Sequence, residues 1–295
     1  MEWIDAVLSE GEHANRLRFD LEYFAHQALK LRPKSGPLEP FVFNVAQRRL
    51  HGIIEAQKRK TGRVRIIVLK ARQLGVSTYV AARLYQRTIN NPGVRTSLSA
   101  TSDGLPAISF RSSEDSMTAL PSPSVSTSNA EELLFDRIDS GYIVSVATNE
   151  GTGRSATAQL LHASEAAFWS DLPLQMASLM QTVPDLPGTE IIIESTANGY
   201  NDFHSQWRKA EAGESEFLPV FLSWSLDAAY RKELPEGFAM DAEESKLAAS
   251  TKNRLRGGAR KFLSSAARSI FRRNTRSHRA TRLFRHPSTA SFRLR

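Results

Sequence analysis

The feature that most constrains the fold is the segment VRIIVL at residues 64–69, which is apolar apart from Arg65 and is rich in β-branched side chains. Such a run is typical of a strand that is buried on both faces, as strands of parallel sheets are. A glycine-containing segment, KARQLGVST, follows it and leads into the apolar-periodic stretch YVAARLYQRTIN, which Asn91-Pro92-Gly93 ends. The order strand, loop, helix predicts an α/β fold with a parallel sheet flanked by helices.

Several further segments extend this pattern along the chain. Apolar residues recur at helical spacing from Leu21, and a second helix is predicted to begin near Asn44. ELLFDRI and YIVSVAT alternate around residues 139–141 and predict a β-hairpin. AQLLHA (158–163) and EIIIEST (190–196) are predicted strands that end in polar residues, and such strand ends are where α/β sheets place their ligands.

The positive charge of the chain lies in one segment. The formal net charge is +8, but residues 245–295 contain 15 Lys and Arg with no Asp or Glu, so residues 1–244 carry 24 basic against 31 acidic side chains. The high pI therefore says little about partners of the folded part. Because cysteine is absent, disulfides and thiolate metal sites are excluded. No run approaches the ~20 apolar residues of a membrane span, and we expect a cytoplasmic protein.

Composition also predicts the segment boundaries. Residues 1–40 are predicted to form an N-terminal helix and a linker, and residues 41–222 the α/β domain. Within that domain, residues 97–128 are atypical: they contain 11 serines and show neither helical nor strand periodicity, which favours disorder. A linker is expected over 223–245, and the basic Arg/Ser-rich tail, 246–295, is expected to be disordered.

The loop after the first predicted strand has the composition of a phosphate-binding loop. Such a loop needs small residues whose N–H groups wrap phosphates, a hydroxyl for Mg²⁺, a cation, and a helix N-terminus behind it. The small residue and the hydroxyls are supplied by Gly75, Ser77 and Thr78. Val76 stands at the usual lysine position, so that the cation would come from Lys70 or Arg72. The alternative is an ordinary strand-to-helix turn.

Two motifs carry a resemblance to a known family. KARQLGVST resembles the deviant Walker A motif of phage terminase large subunits, in which the lysine can move to the front of the loop. LLHASEAAFW (160–169) resembles that family's Walker B segment, with Ser-Glu in place of Asp-Glu. The resemblance implies that Glu165 is the general base that orients the attacking water, and that Ser164 helps Ser77 to hold Mg²⁺. The alternative is a strand end with an exposed glutamate.

A third segment resembles the family's coupling motif, which senses the γ-phosphate. In IIIESTANGYNDF (191–203) the matching positions are Ser195, Thr196 and Asn198. By itself such a run is only a polar loop.

Two further positions have a functional and a local interpretation. PFVFNVAQRRLH (40–51) resembles the adenine-recognition segment, where Gln47 would bind the base; alternatively, Asn44 and Gln47 form a capping box at a helix start. Arg154 lies shortly before the Walker B strand, where the family can present an arginine finger to a neighbour's nucleotide; alternatively, it is a solvated loop arginine.

The resemblance implies an ATP-hydrolysing motor domain that translocates DNA into a viral procapsid. It also implies a P-loop NTPase fold of the additional-strand type that uses ATP and Mg²⁺. The implied partners are double-stranded DNA, the small terminase subunit, the portal protein and further copies of the chain in a homo-oligomeric ring in the host bacterial cytoplasm. SWSLDAAYRKEL (223–234) resembles the stretch that joins motor to nuclease. Because no carboxylate follows Glu244, we expect no two-metal nuclease from the tail.

Two other functions stay open at this stage. The abrupt edges of the serine-rich and basic segments favour translation in a shifted reading frame, and the chain would then be an inactive prophage remnant. The basic tail could instead bind nucleic acid without sequence preference, through salt-sensitive contacts with phosphates.

Overall fold

A computed structural model describes residues 2–31, 36–101, 108–109, 127–128, 132–146 and 157–227. Arg154 lies outside these residues, as do the basic tail and most of the serine-rich segment. The predictions made for them stay predictions.

The helices begin and end largely where local sequence signals place them. They are α1 (Glu2–Phe19), α2 (Leu21–Ala28), α3 (Val45–Thr61), α4 (Val76–Asn90), α5 (Leu172–Gln181) and α6 (Asp202–Ala212). Asn44 caps α3 by accepting from the Gln47 N–H, and Gly62 ends that helix in the left-handed conformation. The helices predicted from Leu21 and near Asn44 are thus confirmed as α2 and α3. No pattern considered above predicts α1, α5 or α6.

The strands form one large sheet and one small one. They are β1 (Lys30–Leu31), β2 (Glu39–Pro40), β3 (Val64–Lys70), β4 (Arg95–Ala100), β5 (Ile108–Ser109), β6 (Thr127–Ser128), β7 (Glu132–Phe135), β8 (Ser140–Val146), β9 (Leu160–Ser164), β10 (Glu190–Ser195) and β11 (Leu218–Leu222). The large sheet has the order β11-β3-β10-β9-β4-β8-β7-β6, and β2-β1-β5 form the small antiparallel sheet.

The large sheet confirms the predicted fold class. Strands from β11 to β8 run parallel, whereas β7 and β6 are antiparallel additions. The strand β10 is inserted between β3, which precedes the glycine-containing loop, and β9, which precedes Glu165. This strand order agrees with the additional-strand arrangement that the sequence resemblance implies. The predicted hairpin is confirmed as β7 and β8.

The prediction that residues 97–128 lack regular structure is wrong at its beginning. Residues 97–100 belong to β4, which lies between β9 and β8 in the sheet. The serines concealed this strand because their hydroxyls find partners within the sheet and do not need solvent. Ser99 Oγ lies 2.9 Å from Ser145 Oγ on β8, for example.

Two apolar layers sandwich the sheet, and successive residues of each strand point into opposite layers. Ile66 and Val68 of β3 pack with α2, α3 and α4, whereas Ile67 and Leu69 pack with α5 and α6. Burial on both faces explains why residues 66–69 are all apolar, and the buried Arg65 donates to the Val64 carbonyl and the Thr189 hydroxyl. Among the described residues, no helix has the length and apolarity needed to cross a bilayer.

Candidate functional site

Polar residues from three neighbouring strands meet at the carboxyl edge of the sheet. Lys70, Ser164 and Ser195 are the last residues of β3, β9 and β10. The strands are parallel and adjacent, so their ends lie side by side. The loop 71–75 leads from β3 into α4, whose first turn lies over the same edge. The topology thus brings together the predicted Walker A, Walker B and coupling segments.

Backbone conformation at the loop brings α4 close to the strand ends. Gly75 precedes α4 with φ +66°, and Gln73 also has positive φ. The positive φ favours glycine, and a Cβ on Gly75 would lie 2.6 Å from Gln47 Nε2, so that the Gln47 amide would have to move. Positive φ at a non-glycine residue is uncommon and clusters at functional sites.

The position of Gln47 confirms the capping box and adds a contact to the loop. Its Oε1 accepts from the Asn44 N–H at 2.8 Å, and its Nε2 donates to the Gly75 carbonyl at 2.8 Å. Asn44 Nδ2 also donates to the Leu74 carbonyl. The start of α3 is thereby attached to the loop, although this does not test the adenine contact.

The ammonium of Lys70 lies at the centre of the site. Its Nζ is 2.7 Å from Glu165 Oε1, 3.0 Å from Glu194 Oε2 and 3.5 Å from Ser77 Oγ. Burial disfavours the charged ammonium, but the two carboxylates outweigh burial and raise the pKa of Lys70 above its ordinary value. Lys70 is therefore cationic at neutral pH. Arg72, the other candidate cation, has an exposed side chain on the loop.

Glu165 directly follows β9 and has a left-handed backbone, with φ +52°. Its side chain is 21% exposed, whereas the side chain of Glu194, the other carboxylate beside Lys70, is 0% exposed. Besides the ion pair with Lys70, its Oε2 lies 3.4 Å from the Thr196 N–H and from the hydroxyls of Ser195 and Thr196. A partly exposed carboxylate beside a cation and the coupling segment suits a base that acts on water at the strand ends.

Glu194 is a site residue that sequence reasoning missed. It is completely buried, and its Oε1 accepts from Ser77 Oγ at 2.7 Å and from Ser164 Oγ at 2.6 Å. His162 Nε2 lies 3.4 Å from the same oxygen. Burial alone would raise the pKa of Glu194, but Lys70, His162 and Ser164 outweigh burial and hold it well below its usual range. The carboxylate is therefore charged at neutral pH.

A signal for Glu194 was present in the sequence. EIIIEST places a glutamate within an apolar strand, and a charge inside a buried strand is costly unless it is paired. Pairing in turn implies a cation and donors on neighbouring elements. The strand was noted for its polar exit, but its internal glutamate was not singled out.

The coupling residues attach the end of β10 to the segment after Glu165. Ser195 Oγ accepts from the Ala167 N–H at 3.1 Å, and Asn198 Nδ2 donates to the Ala167 carbonyl at 3.0 Å. Asn201 Nδ2 donates to the same carbonyl. These contacts join the segment after Glu165 to the N-terminus of α6, which Asn201 caps.

Of the other predicted site residues, Thr78 lies partly buried in the first turn of α4 beside Ser77. Arg154 belongs to the part of the chain that the structure does not describe. A cavity of about 390 Å³ lies elsewhere, next to Arg83 and Arg87 on α4, and none of the predicted site residues lines it.

The described residues contain no group of three or more His, Cys, Asp and Glu that would hold a metal alone. Mg²⁺ does not need such a group, because it is commonly held by one or two carboxylates together with the phosphates of a nucleotide. A hydroxyl on Ser77 and a buried carboxylate oxygen, Glu194 Oε2, fit that requirement. Among the described residues, this oxygen faces the Lys70 ammonium but has no hydrogen-bond donor of proper geometry.

Comparisons with known proteins find similarity among solved structures. The sequence matches no protein-family model and no curated protein. Among solved structures that resemble the fold is the crystal structure of the HK97 bacteriophage large terminase, with a TM-score of 0.48 and 14% sequence identity. The match covers 88% of this chain and 51% of that chain, so this chain spans about half the length of that terminase.

Proposed function

We propose that this chain is an ATP-hydrolysing motor domain of the phage terminase type, which couples Mg²⁺-dependent ATP hydrolysis to translocation of double-stranded DNA. The observation that carries the proposal is the convergence of Ser77, Lys70 and Glu165 on one position. The hydroxyl and the carboxylate come from different elements, yet both lie within 3.5 Å of the same ammonium. This arrangement suits a phosphate-binding loop and a base at the ends of two parallel strands with one strand between them.

Lys70 would have two partners during the reaction. Without nucleotide, its ammonium forms an ion pair with Glu165 at 2.7 Å, so that one carboxylate oxygen of Glu165 is occupied. Triphosphate binding offers Lys70 a stronger anionic partner, so that Glu165 becomes available to accept a proton from water. When bound with ATP, Mg²⁺ would supply charge neutralisation at the phosphates, next to Ser77 and Ser164.

The contacts of Ser195 and Thr196 support a coupling role. Both hydroxyls lie 3.4 Å from Glu165 Oε2, so they would respond when that carboxylate exchanges Lys70 for water. Asn198 extends the connection to Ala167. We propose this path, from Glu165 through the end of β10, as the link between hydrolysis and movement.

The remaining roles rest on the resemblance. Gln47 would contact adenine with the amide capacity left after its bonds to Asn44 and Gly75, because each amide atom can form a second bond. Arg154 would act on the nucleotide of a neighbouring copy in a ring. The portal protein and the small terminase subunit would be partners in the host cytoplasm. We expect no DNA cleavage, because the tail lacks carboxylates.

The substitution Lys70→Ala is expected to weaken ATP binding by about 10–100-fold, because a charge-assisted contact with phosphate is worth about 1.5–3 kcal/mol. The measurement is the rise in melting temperature on addition of Mg²⁺-ATP to the full chain. Each variant is compared with its own nucleotide-free form, since Lys70→Ala also leaves Glu194 without its cation. Lys60→Ala, at an exposed position late in α3, is the matched control and should respond like the wild type.

Two results would contradict the proposal. One is the absence of any ATP-dependent stabilisation in the wild type. The other is an equal ATP response in Lys70→Ala and Lys60→Ala. Binding without turnover in the wild type would favour the inactive remnant.

A further inference from the structure

The buried carboxylate of Glu194 contacts three polar side chains from neighbouring elements. Two hydroxyls, from Ser77 and Ser164, donate to one of its oxygens, and the Lys70 ammonium faces the other. Complete burial of a carboxylate is costly, and an apolar residue would serve a purely structural strand better. This cost indicates a function for the charge.

Ser164 stands at the position where the Walker B segment would carry an aspartate. In P-loop enzymes that aspartate and the loop hydroxyl hold Mg²⁺ together. A serine hydroxyl is neutral and cannot supply the missing charge. The sheet register places a carboxylate beside Ser164. Glu194 is the register partner of Ser164 on the neighbouring parallel strand, so both side chains point to the same face.

The geometry reproduces the contact expected of the missing aspartate. Glu194 Oε1 accepts from Ser77 Oγ at 2.7 Å, and Ser77 is the hydroxyl predicted to reach Mg²⁺. Ser164 donates to the same oxygen at 2.6 Å and thereby positions the carboxylate. Oε2 faces the cation of Lys70. If Lys70 contacts the phosphates of a bound nucleotide instead, this oxygen would be available to Mg²⁺ or to its bound water.

We propose that Glu194, on the strand next to the Walker B strand, is the acidic residue of the Mg²⁺ site, and that Ser164 is a positioning residue which orients it. This inference rests on the proposed ATPase function. It relocates the metal-binding acid by one strand.

The charges at the site predict how strongly ATP binding depends on Mg²⁺. Lys70, Glu165 and Glu194 together carry a net charge of −1, so that ATP without a divalent cation is repelled. Mg²⁺ should therefore strengthen ATP binding markedly in the wild type. Glu194→Gln should remove most of this gain, with the apparent Mg²⁺ affinity falling by about 10–100-fold, as is typical when the residues around a metal site are altered.

The experiment measures the Kd of a fluorescent ATP analogue for the full chain across a Mg²⁺ titration, with a chelator as the zero point. Glu165→Gln is the charge-matched comparison, because it removes the other carboxylate that contacts Lys70. It should retain the Mg²⁺ dependence. An exchange variant, Ser164→Asp with Glu194→Ser, returns the acid to the Walker B strand and should restore the dependence.

The outcomes separate the two proposals. A wild type that binds ATP with Mg²⁺ dependence, together with a Glu194→Gln variant that keeps that dependence, overturns the metal-site inference and leaves the ATPase proposal standing. An equal loss in Glu165→Gln also overturns it, because the effect is then one of general charge. If Glu194→Gln does not fold, the exchange variant is the deciding measurement. ATP binding that still depends on Mg²⁺ in the exchange variant supports the inference, and ATP binding that no longer depends on Mg²⁺ overturns it. A wild type that does not bind ATP overturns both.

Discussion

The substitution Glu165→Gln is expected to lower the rate of ATP hydrolysis by about 10²–10⁴-fold, the usual contribution of a positioned general base. Glutamine keeps the shape of the side chain and its contacts with the Thr196 N–H and the two hydroxyls. It cannot accept a proton from water. The measurement is phosphate release at saturating Mg²⁺-ATP, with nucleotide affinity determined in parallel.

Affinity should be retained in this variant, because the carboxylate of Glu165 competes for Lys70 and does not itself hold phosphate. Removal of the 2.7 Å ion pair leaves the ammonium more available to the nucleotide. The result is a split between binding and turnover that general unfolding would not produce. Glu214→Gln, at an exposed position after α6, is the control for an equivalent change of charge. Unchanged phosphate release in Glu165→Gln would remove Glu165 from the mechanism.

Apolar runs were sufficient to predict the central sheet. β3, β9 and β10 are short strands buried on both faces, so their sequences are mostly apolar segments with polar ends. The rule that ligands bind at the carboxyl ends of parallel strands, together with the family resemblance, predicts that Lys70 and Glu165 lie close together. Geometry added the distances and the central position of the ammonium.

What the sequence could not supply depends on register and on contacts between distant segments. Glu194 was missed because two-sided burial removes the alternation that reveals which face a side chain occupies. Its pairing with Ser164 follows from strand register, which no local pattern encodes. Gln47 was recognised as a cap, but its bond to Gly75 joins residues 28 positions apart. The serine-rich composition of β4 is typical of disordered segments, but its serine hydroxyls find hydrogen-bond partners within the sheet.

A second buried ion pair lies at the amino ends of the parallel strands, opposite the candidate site. We expect it to stabilise the fold and not to take part in catalysis. Arg83 of α4 donates to both oxygens of Glu190, from Nε at 2.7 Å and from Nη2 at 2.9 Å. Arg87 also pairs with Glu190, and Glu55 accepts from Arg83 Nη1 at 2.6 Å. Glu190 is the first residue of β10, so this cluster attaches α3 and α4 to the strand that ends in the candidate site.

Glu190→Gln is expected to lower the free energy of unfolding by about 3–5 kcal/mol, because it leaves Arg83 buried with only part of its charge compensated. Glu55→Gln is the matched control: it faces the same guanidinium from a side chain that is 28% exposed, and should cost about 1 kcal/mol. Urea denaturation of the full chain at neutral pH measures both. A loss in Glu190→Gln no larger than that in Glu55→Gln would contradict the assignment.

The pH dependence provides an independent check on the same cluster. Burial would raise the pKa of Glu190, but Arg83 and Arg87 outweigh burial and lower it from 4.5 to about 2. A group with a depressed folded pKa contributes stability that is complete above its unfolded pKa and disappears as the pH falls through the folded value. The stability difference between the wild type and Glu190→Gln should thus be constant above about pH 4.5 and shrink towards pH 2. A difference that stays constant down to pH 2 would show that the charge of Glu190 is not what stabilises the fold.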